Sequence, residues 1–109
     1  MSHITKYVLE EDSTVEVHKI FGDEYYIAFV TIHGRYPEAG KIAHDINREE
    51  YLCVEDGEIT VVHNKEKKTL KKGENLLIAD GDYYSIEGDG RVVVFVKDGK
   101  DGKSDIVEE

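Results

Sequence analysis

At 109 residues, with a formal net charge of -10 and a pI near 4.9, the chain has the size of one domain and is too acidic to hold a nucleic-acid backbone or an anionic membrane surface. It has no apolar run of membrane-spanning length, and Met1–Val8 lacks the apolar core of a secretory signal. Cys53 is the only cysteine; a lone thiol forms no intrachain disulfide and suits a reducing compartment, so the expected location is the cytoplasm.

Along the chain, short blocks rich in β-branched and aromatic residues follow one another: Val15–Ile20, Tyr25–Ile32, Tyr51–Val54, Ile59–Val62, Leu76–Ile78 and Arg91–Val96. Such residues fit a pleated, half-buried surface, and none of the blocks has the period of a long helix. Turn signals separate them at Phe21-Gly22-Asp23, Asp56-Gly57, Asn64-Lys65, Lys72-Gly73, Asp80-Gly81 and Gly88-Asp89-Gly90. Pro37 falls in a loop before Gly40, where it breaks no ladder. Short strands with regular glycine-containing turns predict an all-β fold, an antiparallel sandwich or barrel. The expected unit is one domain over residues 1–109. Residues 98–109 are polar and glycine-rich, and read either as a mobile tail or as a late edge strand.

The stretch from Gly40 to Gly57 carries the chemistry. It reads as a β-hairpin whose connection is Asn47-Arg48-Glu49. The period of two then puts Ile42, His44 and Ile46 on one inward face, with Glu50 opposite Ile46. His44 and Glu50 become diagonal neighbours inside the barrel, while Glu49 points outward. Cys53 has the opposite parity to Glu50 and packs outside the cavity as a small hydrophobe. Parity allows only one of Tyr83 and Tyr84 to face inward.

These residues resemble the two signature motifs of the cupin superfamily, a resemblance that covers about residues 25–97 and implies an antiparallel β-barrel of jelly-roll type with roughly six to eight strands. The first runs Gly, His-x-His, a short gap, Glu and Gly; it aligns here with Gly40, His44, Ile46, Glu50 and Gly57. The second aligns with Gly73, Ala79, Gly81, Tyr84 and Gly88, where the family carries Gly, Pro, Gly, His and Asn. Metal-binding cupins hold a first-row divalent ion with three His and one Glu. The resemblance therefore implies a site at His44 and Glu50. Ile46 cannot coordinate, and Tyr84 stands where the third His would be. A phenol near pKa 10 must lose its proton before it binds a metal. The expectation is no resident cofactor; a divalent transition metal is the alternative, if Tyr84 or His33 completes the set.

Three functions follow. In the first, a small-molecule-binding barrel takes a polar, carbohydrate-like ligand against His44, Glu50 and Tyr84. The second is a metal-independent sugar isomerase or epimerase in which His44 and Glu50 move protons, with Tyr84 assisting, as some cupins do. The third is a metal-dependent enzyme with an incomplete ligand set. His44 and Glu50 could equally satisfy only each other, as buried polar groups must. His18 and His63 alternate with apolar neighbours and are expected to face solvent, and the lysines of residues 65–72 form a solvated hairpin tip. Strands apolar on both faces, such as Tyr51–Val54, predict a homodimer; the resemblance implies the same.

Overall fold

The computed structural model describes residues 3–8, 14–21 and 24–109, with side chains from residue 24 onward. Among the described residues there are seven strands: β1 (His3–Val8), β2 (Thr14–Phe21), β3 (Tyr25–Tyr36), β4 (Lys41–His63), β5 (Glu66–Lys71), β6 (Asn75–Ile78) and β7 (Tyr83–Glu108). They pair antiparallel in the order β1-β2-β3-β7-β4-β5, with β6 also on β4. The sheet closes because the start of β7 lies between the two ends of β4: Tyr84 pairs with both His63 and Ala43, and Tyr83 pairs with His44.

The expected turn at Asn64-Lys65 is a two-residue hairpin between β4 and β5. Both residues have positive φ, 49° and 70°, the backbone that a twisted hairpin favours. Lys72-Gly73 and Asp80-Gly81 also turn the chain, each with its glycine at φ 88°. Gly22 and Asp23, and the side chain of His18, lie outside the described residues.

Three expected breaks are continuous strand instead. Asp56-Gly57 and Gly88-Asp89-Gly90 are not turns, because Gly57 pairs with Gly90 and Ile59 with Gly88 across β4 and β7. The glycines let two bent strands approach closely while the ladder continues. The expected hairpin at Asn47-Arg48-Glu49 is a bulge within β4. The register jumps from Ile46↔Lys103 to Arg48↔Asp98, so Asn47 alone opposes an excursion of β7 over residues 99–102. Asn47 adopts φ 52°, and its side-chain amide donates to the Lys100 carbonyl at 2.6 Å. Residues 103–108 then pair with β4 from Ile46 back to Lys41, so the stretch left open between tail and strand is strand.

These irregularities set which residues face inward. Before Asn47, Ala43 and Asp45 are buried; after it, Glu50, Leu52 and Val54 are. A second register shift between Val54 and Asp56 returns the inward set to odd numbers, with Ile59 and Val61 fully buried. Ile32 of β3, Ile78 of β6 and Val92, Val94 and Val96 of β7 complete the core. Each such side chain contributes roughly 1.5–3 kcal/mol by leaving water.

Candidate functional site

Inside the barrel is a cavity of about 330 Å³. Its walls are apolar, formed by Ala28, Val30 and Ile32 of β3, Leu52 of β4 and Val92 and Val94 of β7. Its polar end is built by Tyr26, Arg48, Glu50, Tyr84, Lys103 and Ser104. Thus β4 supplies an acid and a guanidinium, and the two ends of β7 supply a phenol and a hydroxyl. The bulge at Asn47 turns Arg48 inward together with Glu50, and the excursion it faces places Gly102 and Lys103 over the cavity.

Tyr84 donates a hydrogen bond from its hydroxyl to Glu50 Oε2 at 3.0 Å. Arg48 lies 3.7 Å from Glu50 Oε1 and 3.6 Å from Asp98 Oδ1, with its guanidinium carbon 5.6 Å from the centre of the Tyr26 ring. That ring face adds a cation–π contact. Burial opposes the charge of Arg48, but the neighbouring Glu50, Tyr26 and Asp98 outweigh it and hold the guanidinium protonated. Burial, and then the charges of Glu50 and Asp45, push the Tyr84 phenol well above its ordinary value. Burial likewise raises Tyr26, although Arg48 pulls the other way.

Of the residues expected at the site, the structure brings Glu50 and Tyr84 together and leaves His44 and His33 elsewhere. His44 faces the side opposite Ala43 and Asp45, where its ring stacks on Tyr83 at 4.0 Å with an interplanar angle of 5°. The inward reading of His44 assumed a three-residue connection; the single bulge at Asn47 puts Asp45 inside instead. The His44–Glu50 proton-transfer pair is therefore not assembled. His33 is exposed beside Asp89, with Nδ1 2.9 Å from Oδ1, and does not line the cavity. His63, expected in solvent, is mostly buried at the β6–β7 connection, 2.6 Å from Asp82 Oδ2. Hydrogen bonds from Asn64, His63 and the Ala79 amide hold the Asp82 carboxyl below its ordinary value against the opposing effect of burial. Tyr83 and Cys53 both lie off the cavity, on the outer side.

The donors do not fit the metal site of the resemblance. His44 and Glu50 point to opposite sides of β4, and Tyr84 keeps its proton. Among the described residues no group of three or more His, Cys, Asp or Glu side chains converges on a point.

Sequence reasoning missed Asp45, Arg48, Tyr26 and Ser104. A signal for Arg48 was present: an arginine two residues before an inward Glu shares its face in any unbroken strand.

Comparison with solved structures agrees with this architecture. Pac13 of Streptomyces, described as a nucleoside dehydratase with a β-barrel, superposes with a TM-score of 0.81 at 9% identity, over 96% of this chain and 85% of Pac13. The cupin domain of Schizosaccharomyces pombe Cnp3 gives a TM-score of 0.67 at 18% identity, over 86% of this chain and 70% of that one. KdgF of Halomonas sp. gives 0.69 at 14% identity, over 89% and 88%. No protein-family model and no curated protein matches the sequence. The chain has a cupin-like fold, an antiparallel all-β barrel.

Proposed function

We propose that the barrel binds a small, polar, hydroxyl-bearing ring molecule of carbohydrate type. The observation that carries this reading is a cavity of about 330 Å³ with apolar walls and one end made by Glu50, Tyr84 and Arg48. That volume lies in the range of small-molecule sites. The apolar walls suit the C–H face of a sugar ring. The carboxyl and guanidinium suit its hydroxyls, the first as acceptor and the second as donor. Pac13 lends support, since its variants are described with uridine, a nucleoside that carries such a ring. Calorimetric titration with monosaccharides and nucleosides, uridine among them, is the test. Glu50→Gln removes a charged acceptor and is expected to weaken the best ligand about 10- to 100-fold. Equal affinity in the variant, or no binding across the panel, would remove this reading.

A second reading follows from one contact. The Tyr84–Glu50 hydrogen bond joins an acceptor and a proton donor inside the cavity, the parts a metal-independent isomerase or epimerase requires. In that case Glu50 and Tyr84 would move the proton in place of the expected His44–Glu50 pair.

We also propose a homodimer. Phe95, Tyr51 and Leu77 are direct cross-strand neighbours on the outer face of β7, β4 and β6, and all three are exposed. Glu49 and Lys97 sit at the rim of this row. A two-fold pair of copies could therefore set opposite charges against each other around an apolar centre. Light scattering is expected to give twice the chain mass for the wild type and the chain mass for Leu77→Glu. A monomeric wild type at high concentration would end the proposal.

A further inference from the structure

The cavity's polar end rests on a second acid that the ligand cannot reach. Asp45 is fully buried, no well-formed hydrogen bond satisfies either of its carboxyl oxygens among the described residues, and its side chain lies within hydrogen-bonding reach of the Glu50 carboxyl and the Ser104 hydroxyl. An ionised carboxylate in that position would carry a large desolvation cost. The groups facing it are Glu50 and Arg48 of β4 and Ser104 and Tyr84 from the two ends of β7. Tyr36 lies beside Tyr84, and Tyr26 and Asp98 lie beside Arg48. Arg48 is already placed between Glu50 and Asp98, and Lys103 extends toward solvent against Asp105. Among the described residues, one guanidinium thus serves the carboxyls of Asp45, Glu50 and Asp98. The positive charge still available to balance this cluster is a proton.

We propose that Asp45 is a positioning residue that stays protonated at neutral pH and donates that proton in a hydrogen bond to the Glu50 carboxylate across the back of the cavity. Glu50 is then held from behind by an acid and from the side by the Tyr84 hydroxyl, with one lobe left for a ligand. Burial, and next the adjacent Glu50 carboxyl, raise Asp45 from the ordinary 3.8 to about 9, in the direction this arrangement requires. The role of Asp45 rests on the cavity being a ligand site, but the protonation does not. It is therefore tested without ligand, and a failed ligand screen leaves the result intact.

The full chain is labelled with ¹³C at the aspartate carboxyl carbons and titrated by NMR from about pH 4 to about pH 10. One carbon is expected to keep its acid-form shift through neutrality, titrate near pH 9, and vanish in Asp45→Asn. In Glu50→Gln its titration is expected to move down by about one pH unit or more, because the charge that retains the proton is gone. The proposal is overturned if every aspartate is ionised by about pH 6. It is also overturned if the acid-form signal survives Asp45→Asn, or if Glu50→Gln leaves the titration unmoved. The last result would describe an isolated buried acid.

Thermal stability against pH gives a second readout that needs no Glu50 variant. The native state holds a proton that the unfolded chain releases above about pH 4, so this contribution is full below that pH and is lost as pH rises toward about 9. Wild-type Tm is expected to fall across that window, and that of Asp45→Asn to fall less. Equal slopes would overturn the proposal.

Discussion

Arg48→Ala is expected to lower the unfolding free energy by about 3 kcal/mol or more, measured by urea titration at neutral pH. The expectation comes from what the arginine leaves behind. Its side chain is 19% exposed, that of Glu50 9% and that of Asp98 20%, so water screens this group poorly. The separations of 3.6 and 3.7 Å are long for direct hydrogen bonds. The loss is therefore dominated by two carboxylates stranded without a counter-charge, with lost packing on the Tyr26 ring adding to it. Arg48→Lys should recover part of the difference, since it restores the charge but not the planar fork or the stacking. A loss within about 0.5 kcal/mol of zero, typical of exposed ion pairs, would show that the cluster is wetter than its burial indicates.

The second large effect is expected at a backbone crossing. Gly57→Ala should cost about 3 kcal/mol. Gly57 has φ 78°, and a Cβ there would collide with the Asp89 carbonyl oxygen and meet Gly90 Cα at 2.7 Å. Both obstacles are backbone of the paired strand, so β4 and β7 would have to separate. Gly40→Ala is the control: Gly40 has φ 85° with nothing within 4 Å of the added carbon, which leaves only the left-handed penalty of about 1–2 kcal/mol. The excess at Gly57 measures the close approach. Equal losses at the two positions would mean that contact between the strands contributes nothing.

The strand class and the apolar blocks were legible because they depend on local composition, and the inward placement of Glu50 and Tyr84 because both hold positions of the motifs that resemble those of cupins. What failed was parity carried across an irregularity. His44 and Glu50 are separated by one bulged residue, and a bulge reverses the faces of everything beyond it. Nothing local distinguishes Asn47 in a bulge from Asn47 in a loop; the difference lies in the β7 residues that face it, far along the chain. The same holds for Gly57 and Gly90. Each alone resembles a turn, and only their pairing makes them a crossing. Arg48 carried a parity signal by sharing a face with Glu50, but a charged residue inside a barrel makes sense only once Glu50, Asp98 and Tyr26 are seen around it.

The double closure of β7 on β4 also governs how the molecule comes to exist. Lys41 pairs with Glu108 and His63 with Tyr84, so β4 remains unpaired on that side until the chain beyond Tyr83 has been made. Pairings between such distant segments are costly in loop entropy and form slowly. During that wait β4 exposes both its apolar outer residues and its acids. Ser104, which faces Asp45, arrives among the last residues of the barrel. The pocket is thus a product of complete folding, with no counterpart in any hairpin the chain forms on the way.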